Sequence, residues 1–336
     1  MDGGTMKLEQ LGEFALIDLI KQDTINKAES VVIGIGDDAA VLKPTPGSLQ
    51  LVTTDMLVEK VHFDLSTSSA WQLGYKAIGV NLSDIAAMGG VPNHVVISIA
   101  VPKHLPVDFV VSLYDGMKEI CREFGVNIVG GDTVSSPHGL VINVTVLGEV
   151  EPDKLQRRSG ASAGELIVVT GTLGDSSCGL DLLMLGEWQN YKFASSLVTK
   201  HLMPRPQVLQ GPQIATLGST SMNDISDGLA SEVNEIAHAS SVGMRIYSHQ
   251  IPLSPELQAT APMFGKTAVE YGLYGGEDYQ LVFTITPDQF KVLAQVDIAA
   301  RLTVVGEVTD QSLGVQLVTE DGCTSPLEAK GYNHFR

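Results

Sequence analysis

Apolar residues recur along this chain with two different spacings, which predict helices and strands in alternation. Helical spacing covers residues 11–22, 70–90, 107–125, 175–186, 206–217 and 228–239. Short apolar runs typical of strands cover residues 31–33, 39–42, 50–55, 58–63, 94–102, 126–131, 140–150, 242–247, 279–285 and 302–309. A further strand is predicted at the start of the segment LIVVTGTLGDS, before a glycine turn. The helix at 70–90 is lined by small residues, so we expect it to pack closely on a neighbour.

One segment interrupts the pattern near the middle of the chain. EPDKLQRRSGASAGE, residues 151–165, is polar, turn-rich and poor in large apolar residues. A chain of 336 residues has room for two ordinary domains. We therefore predict an α/β (α+β) protein with two mixed α/β domains, one over residues 1–150 and one over residues 151–336.

The composition is that of a core-forming globular protein, with 44% hydrophobic and 18% charged residues. The charge balance is acidic, since 39 Asp and Glu face 21 Lys and Arg and the formal net charge is -18. Nucleic acid and anionic membranes repel such a protein, so we expect neither as a partner. Nucleotides remain possible ligands, because metal ions can neutralise their phosphates.

The cysteines Cys121, Cys178 and Cys323 lie far apart and form no Cys-x-x-Cys pair, which argues against zinc and disulfide frameworks. The N-terminal segment MDGGTMKLEQ lacks the charged and apolar regions of a secretory signal. No apolar run approaches the length of a membrane span. We therefore expect a cytoplasmic protein.

Two glycine-rich segments have the spacing of nucleotide-binding loops, and both are poor candidates. GIGDDA fits the dinucleotide pattern G-x-G-x-x-G/A, but Asp37 and Asp38 would direct negative charge at the pyrophosphate. TAPMFGKT, residues 260–267, ends like a phosphate-binding loop but begins with threonine and follows no apolar strand. We favour neither interpretation.

Aspartates at the ends of apolar runs are more informative than either loop. Most of them lie beside Gly, Ser or Thr, which is how an open α/β domain presents polar groups at strand ends. The set is Asp38, Asp55, Asp84, Asp132, Asp224 and Asp227. Hardly a lysine lies near them, so cations from outside the chain are the natural counter-charge.

A structural interpretation competes with this one at every position. Asp227 fits the N-cap of the helix that follows it, and Asp-Gly is an ordinary turn. Asp84 does not fit, because it lies inside a helical stretch where an unpaired buried charge is costly. The set therefore predicts Mg²⁺, and the hydroxyls of Thr53, Thr54 and Ser226 would extend its oxygen shell.

Three further segments carry candidate residues with two interpretations each. Arg158, beside Arg157 in QRRSGA, is either a solvated charge in a hinge or a residue whose guanidinium binds a nucleotide phosphate. His62 lies on a predicted strand and is either structural or functional. In GGEDY, Glu277 and Asp278 repeat the pattern of glycine followed by acid, or simply form a turn.

Taken in chain order, the motifs resemble thiamine-monophosphate kinase, from the ATP-binding group that includes aminoimidazole ribonucleotide synthetase and selenophosphate synthetase. They are GEF-x-LI, GIGDDAA, TTDMLVEKVHF, YKAIGVNLSDIAAMGG, IVGGDT, RSGA-x-AGE, VTGTLGDS, DISDGL, GGEDY and GYNHF. The resemblance runs from Gly12 to Phe335. It implies two domains of the aminoimidazole ribonucleotide synthetase-like type, with N-terminal sheets that pair in a homodimer.

The resemblance also implies a reaction and its residues. The γ-phosphoryl group of ATP passes directly, in line, to thiamine monophosphate with several Mg²⁺ ions, and no residue acts as a covalent nucleophile. The implied Mg²⁺ ligands are Asp38, Thr53, Thr54, Asp55, Asp84, Asp132, Asp224 and Asp227. The implied ATP contacts are Tyr114, Gly131, Asp132, Arg158 and Ser226. The implied substrate contacts are His62, Glu277 and Tyr332, the last as an aromatic wall for the thiamine moiety.

Two alternatives to this kinase remain open at the level of the sequence. One is a related ATP-dependent synthetase that uses another acceptor, and the other is a magnesium-nucleotide binding protein without turnover. The chain departs from the family pattern at Gln207, where a basic residue is common, and in the segment before Gly12. Neither departure touches the acidic set, so we favour the kinase.

Overall fold

The computed structural model of the chain describes residues 6–296 and 301–331. Within them the chain forms two compact units, and the first of these ends at Pro152. Ala86–Gly90 belong with the second unit, which otherwise begins at Asp153. Both units combine helices with sheets, so the predicted mixed α/β fold is confirmed.

Helices and strands follow one another along both units. The helices are α1 Leu8–Leu11, α2 Glu13–Ile20, α3 Ala70–Ala87, α4 Val107–Phe124, α5 Asp175–Leu185, α6 Ala194–Leu202, α7 Gln210–Thr216, α8 Leu229–Ser240, α9 Pro255–Thr260, α10 Ala268–Tyr274 and α11 Pro287–Leu293. The strands are β1 Val31–Ile33, β2 Val41–Leu42, β3 Leu49–Val58, β4 Val91–Pro102, β5 Asn127–Ser136, β6 Val141–Val150, β7 Leu166–Thr170, β8 Ser221–Ile225, β9 Gly243–Tyr247, β10 Gln280–Ile285, β11 Leu302–Thr309, β12 Val315–Val318 and β13 Thr324–Pro326. Across the described residues, no helix is both long enough and apolar enough to cross a bilayer.

The first unit contains a four-stranded sheet in the order β3-β6-β4-β5. β4 and β5 run parallel, whereas β6 pairs antiparallel with both of its neighbours. Val95, Ile97, Ile99 and Val101 of β4 alternate into the interior and are at most 3% exposed. Because side chains alternate along a strand, the residues between them face the opposite side of the sheet.

Helices α3 and α4 pack against each other through glycines. A Cβ added to Gly74 would lie 1.9 Å from the Leu113 carbonyl oxygen, and one added to Gly116 would lie 1.9 Å from that of Trp71. Only glycine permits the two backbones to come this close. The prediction that the small-residue helix packs closely on a neighbour is confirmed.

The second unit contains a seven-stranded sheet in the order β13-β12-β9-β11-β7-β10-β8. Among the strand pairs described for this sheet, only β12–β9 is parallel. Successive residues of β7 enter different apolar clusters, since Ile167 and Val169 pack with α8 residues while Val168 packs with Ile214 of α7. The central strands are therefore buried on both faces, which explains their continuous apolar runs.

Several predicted element boundaries differ from the structure. The strand predicted over 58–63 is wrong, because β3 ends at Val58 and Lys60 has a left-handed φ of 67°. The Lys60 N–H donates to the Phe63 carbonyl at 2.8 Å, so this segment is a turn. The helix predicted over 206–217 begins only at Gln210, after the Pro206 whose missing N–H suits non-helical backbone.

Candidate active site

The implied ligand Asp84 is joined to strand β3 by a hydrogen bond. Thr53 and Asp55 point to the same face of β3, because residues two apart on a strand share a face. The Thr53 hydroxyl donates to Asp84 Oδ2 at 2.6 Å, and Asp84 is half-buried in α3. The structure thus brings two of the implied metal ligands together.

Thr54 points to the opposite face of β3 from Thr53. Its hydroxyl donates to the Val144 carbonyl at 3.1 Å and lies 3.1 Å from the hydroxyl of Thr145. Asn143 Nδ2 donates to the Thr54 hydroxyl oxygen at 3.1 Å. The Thr54 hydroxyl therefore bonds across the β3–β6 pair, and its part in the expected oxygen shell stays a prediction.

The two aspartates of GIGDDAAV have different environments. Asp37 Oδ1 accepts a hydrogen bond of 2.9 Å from the main-chain N–H of Asp38, so Asp37 caps the turn. The Asp38 residue itself is exposed, near the short β1–β2 pair. Of the two, Asp38 has the carboxylate that the turn does not use.

Asp132 lies on β5, beside a glycine that the sheet itself requires. Its Oδ1 accepts a hydrogen bond of 2.9 Å from the Thr133 N–H, and the residue is exposed. A Cβ on Gly131 would lie 2.0 Å from the Ile97 carbonyl oxygen, so a larger residue could not pair with β4 in this register. Gly131 therefore has a structural reason to be glycine, whether or not it contacts a nucleotide.

His62 and Tyr114 are the remaining implied contacts of the first unit. His62 follows β3 in the turn, where its Nδ1 accepts a hydrogen bond of 3.0 Å from the Val58 N–H. Because a main-chain N–H can only donate, the proton of the neutral ring is on Nε2. Tyr114 is only 5% exposed in α4, and burial raises the pKa of its phenol. Its interior position leaves little of its ring for a nucleotide.

In the second unit, a buried glutamate organises the DISDGL segment. Glu232 of α8 is 3% exposed and accepts hydrogen bonds from the Asp227 N–H at 3.1 Å and from the Ser226 hydroxyl at 3.4 Å. Its other oxygen accepts from the Asn223 amide. Burial, and after it the charge of Asp224, raise the pKa of Glu232 to about 8. Besides burial, the raised pKa reflects the nearby carboxylates of Asp224, Glu235 and Asp227, a group of acids that suits a cation site.

Arg158 is held by the same group of side chains. Its Nε donates to Asn223 Oδ1 at 3.2 Å, and its Nη1 lies 3.2 Å from Glu235 Oε2. The side chain is 56% exposed. The structure thus holds Arg158 on Asn223 of β8 and Glu235 of α8, with more than half of its side chain exposed.

The GGEDY segment lies directly on the DISDGL segment. The Glu277 N–H donates to the Ser226 carbonyl at 2.7 Å, and the Tyr279 N–H donates to the Ile225 carbonyl at 2.9 Å. Glu277 Oε2 also lies 3.3 Å from Nδ1 of His201, a buried residue. An implied ATP contact and an implied substrate contact are therefore hydrogen-bonded neighbours.

Gly331, the last described residue of the chain, lies close to the DISDGL segment. A Cβ on Gly331 would lie 2.2 Å from the Asp227 carbonyl oxygen, so the C-terminal segment passes close to that turn. Tyr332, the implied aromatic wall, lies outside the described residues. Its role as an aromatic wall therefore stays a prediction.

The donor chemistry of both units suits Mg²⁺, although no closed ligand cage is built. Within residues 6–296 and 301–331, no three His, Cys, Asp or Glu side chains come together as a metal-binding group. Mg²⁺ is usually held by one or two carboxylates, with water and phosphate oxygens completing its shell. The Asp84–Thr53 pair and the acidic Asp224–Asp227 turn fit that kind of open site.

Comparison with known proteins places the chain in a family. Residues 36–150 match the model of AIR synthase related protein, N-terminal domain, and residues 162–318 match that of the C-terminal domain. The thiamine-monophosphate kinase of Bacillus subtilis (strain 168) is 39% identical over 332 residues, which cover 97% of this chain and 100% of the relative. The chain belongs to the thiamine-monophosphate kinase family. The resemblance inferred from the sequence motifs is thereby confirmed.

Solved structures of thiamine-monophosphate kinases have the same fold over nearly the whole chain. The enzyme from Stenotrophomonas maltophilia K279a superposes with a TM-score of 0.81 at 33% identity and covers 93% of this chain and 97% of its own. AaThiL in complex with AMPPCP and TMP gives a TM-score of 0.78 at 38% identity, covering 99% of this chain and 100% of its own. Both domains of the family are thus present here.

Proposed function

We propose that this protein transfers the γ-phosphoryl group of ATP to thiamine monophosphate and so forms thiamine diphosphate and ADP. Support comes from its family, and from AaThiL, which has been solved with AMPPCP and TMP. The observation that carries the proposal is the 2.7 Å hydrogen bond between the Glu277 N–H and the Ser226 carbonyl. It joins the proposed acceptor contact to the proposed ATP contact, so the two substrates meet at these turns.

The reaction is a direct displacement at phosphorus. A phosphate oxygen of thiamine monophosphate forms a bond to the γ-phosphorus, and the bond from that phosphorus to the β,γ-bridging oxygen breaks. The electron pair leaves with ADP. The attacking oxygen is already ionised at neutral pH, so no strong general base is needed, and positioning together with charge neutralisation supplies the catalysis. No covalent enzyme intermediate forms.

The second unit contributes Arg158 and Ser226 to the nucleotide contacts in this proposal. Arg158 presents its guanidinium to a phosphate, while Asn223 and Glu235 keep the group oriented. Ser226 contacts ATP beside it, and Glu232 fixes that residue and Asp227 through hydrogen bonds. Gly131 and Tyr114, both in the first unit, are the further nucleotide contacts that the family resemblance implies.

The acidic residues hold the metal ions in this proposal. The ligands are Asp38, Thr53, Asp55, Asp84, Asp132, Asp224 and Asp227, with Thr54 through its main chain. Bound Mg²⁺ supplies the positive charge that offsets repulsion between the two facing phosphate groups. Thr53 orients the Asp84 carboxylate through their hydrogen bond, and Asp37 shapes the turn that presents Asp38.

The acceptor is recognised by His62, Glu277 and Tyr332. The carboxylate of Glu277 suits the positively charged thiazolium ring of thiamine, since opposite charges attract in a partly dry site. The Nε2–H of His62 is a donor that suits an acceptor oxygen or ring nitrogen. The identity of the acceptor rests on the family, and the charge of Glu277 agrees with it.

Organisation and location belong to the same proposal. We assign residues 1–150 to a dimerising ATP- and Mg²⁺-binding domain and residues 151–336 to a second α/β domain. Val52 and Met56, on the outer face of β3, are 65% and 54% exposed, and a second copy of the sheet would cover them. The described cysteines are all free, which suits a reducing cytoplasm.

The direct test is a coupled measurement of ADP and thiamine diphosphate formed from ATP, thiamine monophosphate and Mg²⁺. We expect equal amounts of the two products and no ADP beyond background when the acceptor is left out. A panel of other phosphate, carboxylate and selenide acceptors checks specificity. Absence of thiamine diphosphate across a range of pH and Mg²⁺ concentrations would contradict the proposal.

A further inference from the structure

Two residues of GGEDY have an unfavourable backbone conformation. Glu277 has a φ of 64° and Tyr279 a φ of 49°, both in the left-handed region that residues with a Cβ seldom adopt. Such conformations persist only where surrounding contacts determine them, and they are concentrated at functional sites. The contacts that hold this turn therefore also set the position of Glu277, the proposed acceptor contact.

The residue between them is anchored to a helix in the same unit. Asp278 is buried, and its Oδ2 accepts a hydrogen bond of 2.6 Å from the Gly174 N–H. Its Oδ1 accepts a second bond, of 3.3 Å, from the Ser176 N–H. Gly174 is the N-cap of α5, so the carboxylate occupies the positive end of that helix. One side chain thus satisfies two amides that have no partner within the helix.

A second contact acts on the side chain of Glu277. His201 of α6 is 5% exposed, and its Nδ1 lies 3.3 Å from Glu277 Oε2 and 3.2 Å from the Ser176 hydroxyl. Ser176 therefore belongs to both contacts, since its N–H reaches Asp278 and its hydroxyl reaches His201. The start of α5 fixes the main chain of the turn and, through His201, the carboxylate of Glu277.

We propose that Asp278 is a positioning residue for the acceptor, which holds the strained turn on the N-terminus of α5 so that Glu277 faces thiamine monophosphate. This inference rests on the proposed function, because it takes Glu277 as an acceptor contact. Asp278 acts through Glu277 and touches neither substrate. Loss of its two hydrogen bonds releases the turn from the left-handed conformation and moves Glu277.

A double-mutant cycle tests this coupling. Asp278→Asn keeps the size of the side chain but replaces one accepting carboxylate oxygen by an NH2 group, which only donates. We expect it to raise the KM for thiamine monophosphate about tenfold in the wild-type background and less than about twofold in the Glu277→Gln background. The KM for ATP should stay within about twofold in every variant. Equal effects of Asp278→Asn in both backgrounds would overturn the inference.

A matched control separates the anchor from a general loss of carboxylate. Asp288→Asn makes the same change in the same unit, at an exposed residue of α11 whose carboxylate bonds Lys291. We expect both KM values of this variant to equal those of the wild type. A rise in the acceptor KM for Asp288→Asn would show that the effect is not specific to the anchor.

Amide hydrogen exchange on the wild-type protein keeps the test valid if Asp278→Asn fails to fold. The Gly174 and Ser176 amides should exchange slowly, as hydrogen-bonded groups do, and exchange as fast as solvated loop amides would contradict the anchor. The outcomes also separate the two proposals. Wild-type protein that does not use thiamine monophosphate refutes the proposed function and this inference with it, whereas active protein with an additive cycle refutes this inference alone.

Discussion

Thr53 and Asp84 are joined by a hydrogen bond of 2.6 Å between the Thr53 hydroxyl and Asp84 Oδ2. The bond links strand β3 to helix α3 at a half-buried carboxylate. A carboxylate inside a helix that is otherwise largely buried has to be stabilised by partners, and Thr53 is one of them. The orientation of Asp84 is therefore set by the fold before any ion or nucleotide binds.

The role of Asp84 as a metal ligand is tested by Asp84→Asn. The amide oxygen can still accept from Thr53, so we expect the free energy of unfolding to change by less than about 1 kcal/mol. We expect kcat to fall by on the order of 100-fold, since one charge that offsets the facing phosphates is lost. Steady-state kinetics and urea unfolding measure the two effects.

A control for Asp84→Asn is the same change at Asp18, an exposed residue of α2 that pairs with Lys21. It should leave kcat unchanged. We expect Asp132→Asn to behave like Asp84→Asn, with even less effect on unfolding because the residue is exposed. A near-normal rate in either variant would remove that residue from the metal site.

Arg158→Ala should act on the nucleotide. Its guanidinium is held by Asn223 and Glu235 and its side chain is 56% exposed, so we expect the KM for ATP to rise about tenfold with a smaller change in kcat. Arg158→Lys should be intermediate, because a lysine keeps the charge and loses the planar fork. An unchanged KM for ATP in Arg158→Ala would exclude the residue from the nucleotide site.

Arg157 provides the matched control, since it is the exposed neighbour of Arg158 in the same segment. Its main-chain carbonyl accepts a hydrogen bond of 2.9 Å from the Met222 N–H, which alanine retains. We therefore expect Arg157→Ala to leave the KM for ATP and the unfolding curve close to wild type. Equal effects at both arginines would indicate a diffuse electrostatic contribution.

The sequence predicted the fold class and the long helices because those features depend on local periodicity. Helices α3 and α4 have apolar residues at helical spacing, and Gly125 ends α4 as predicted. Short elements such as α9 and β13 have too few residues to show a period. The turn at Lys60 was missed because its left-handed backbone follows from contacts that the alternation of apolar residues does not record.

In the candidate site, too, the sequence predicts some of the residues and only the structure identifies the others. The acids of the motifs could be read from the sequence, because glycines and hydroxyls surround them. Glu232 could not, since it is one more acid on an amphipathic helix until the structure buries it beneath Ser226 and Asp227. The separation of Thr53 from Thr54 follows directly from strand alternation, and sequence reasoning had that signal available.

The stability of the protein should depend on pH through Asp278. Burial raises the pKa of this carboxyl to about 7 in the folded protein, against the ordinary value of 3.8. Between these values the unfolded chain binds fewer protons than the folded one, so unfolding becomes easier as the pH rises. We expect the contribution of Asp278 to be complete below pH 3.8 and lost as the pH rises through about 7.

The measurement is the midpoint of urea unfolding between pH 4 and pH 8 for wild type and Asp278→Asn. The asparagine cannot ionise, so the variant should lose less stability over this range than the wild type does. Asp288→Asn, which changes an exposed carboxyl, should follow the wild-type curve. Parallel curves for wild type and Asp278→Asn would show that Asp278 ionises normally in the folded protein.

In the proposed function, ATP and thiamine monophosphate react with each other at this site. The most direct measurement follows thiamine diphosphate by chromatography and ADP by a coupled assay, in the same Mg²⁺-containing reaction. We expect both products in equal amounts, neither product after chelation of the metal, and recovery of both when Mg²⁺ is returned. ADP without thiamine diphosphate, or tight ATP binding with no turnover, would contradict the proposed function.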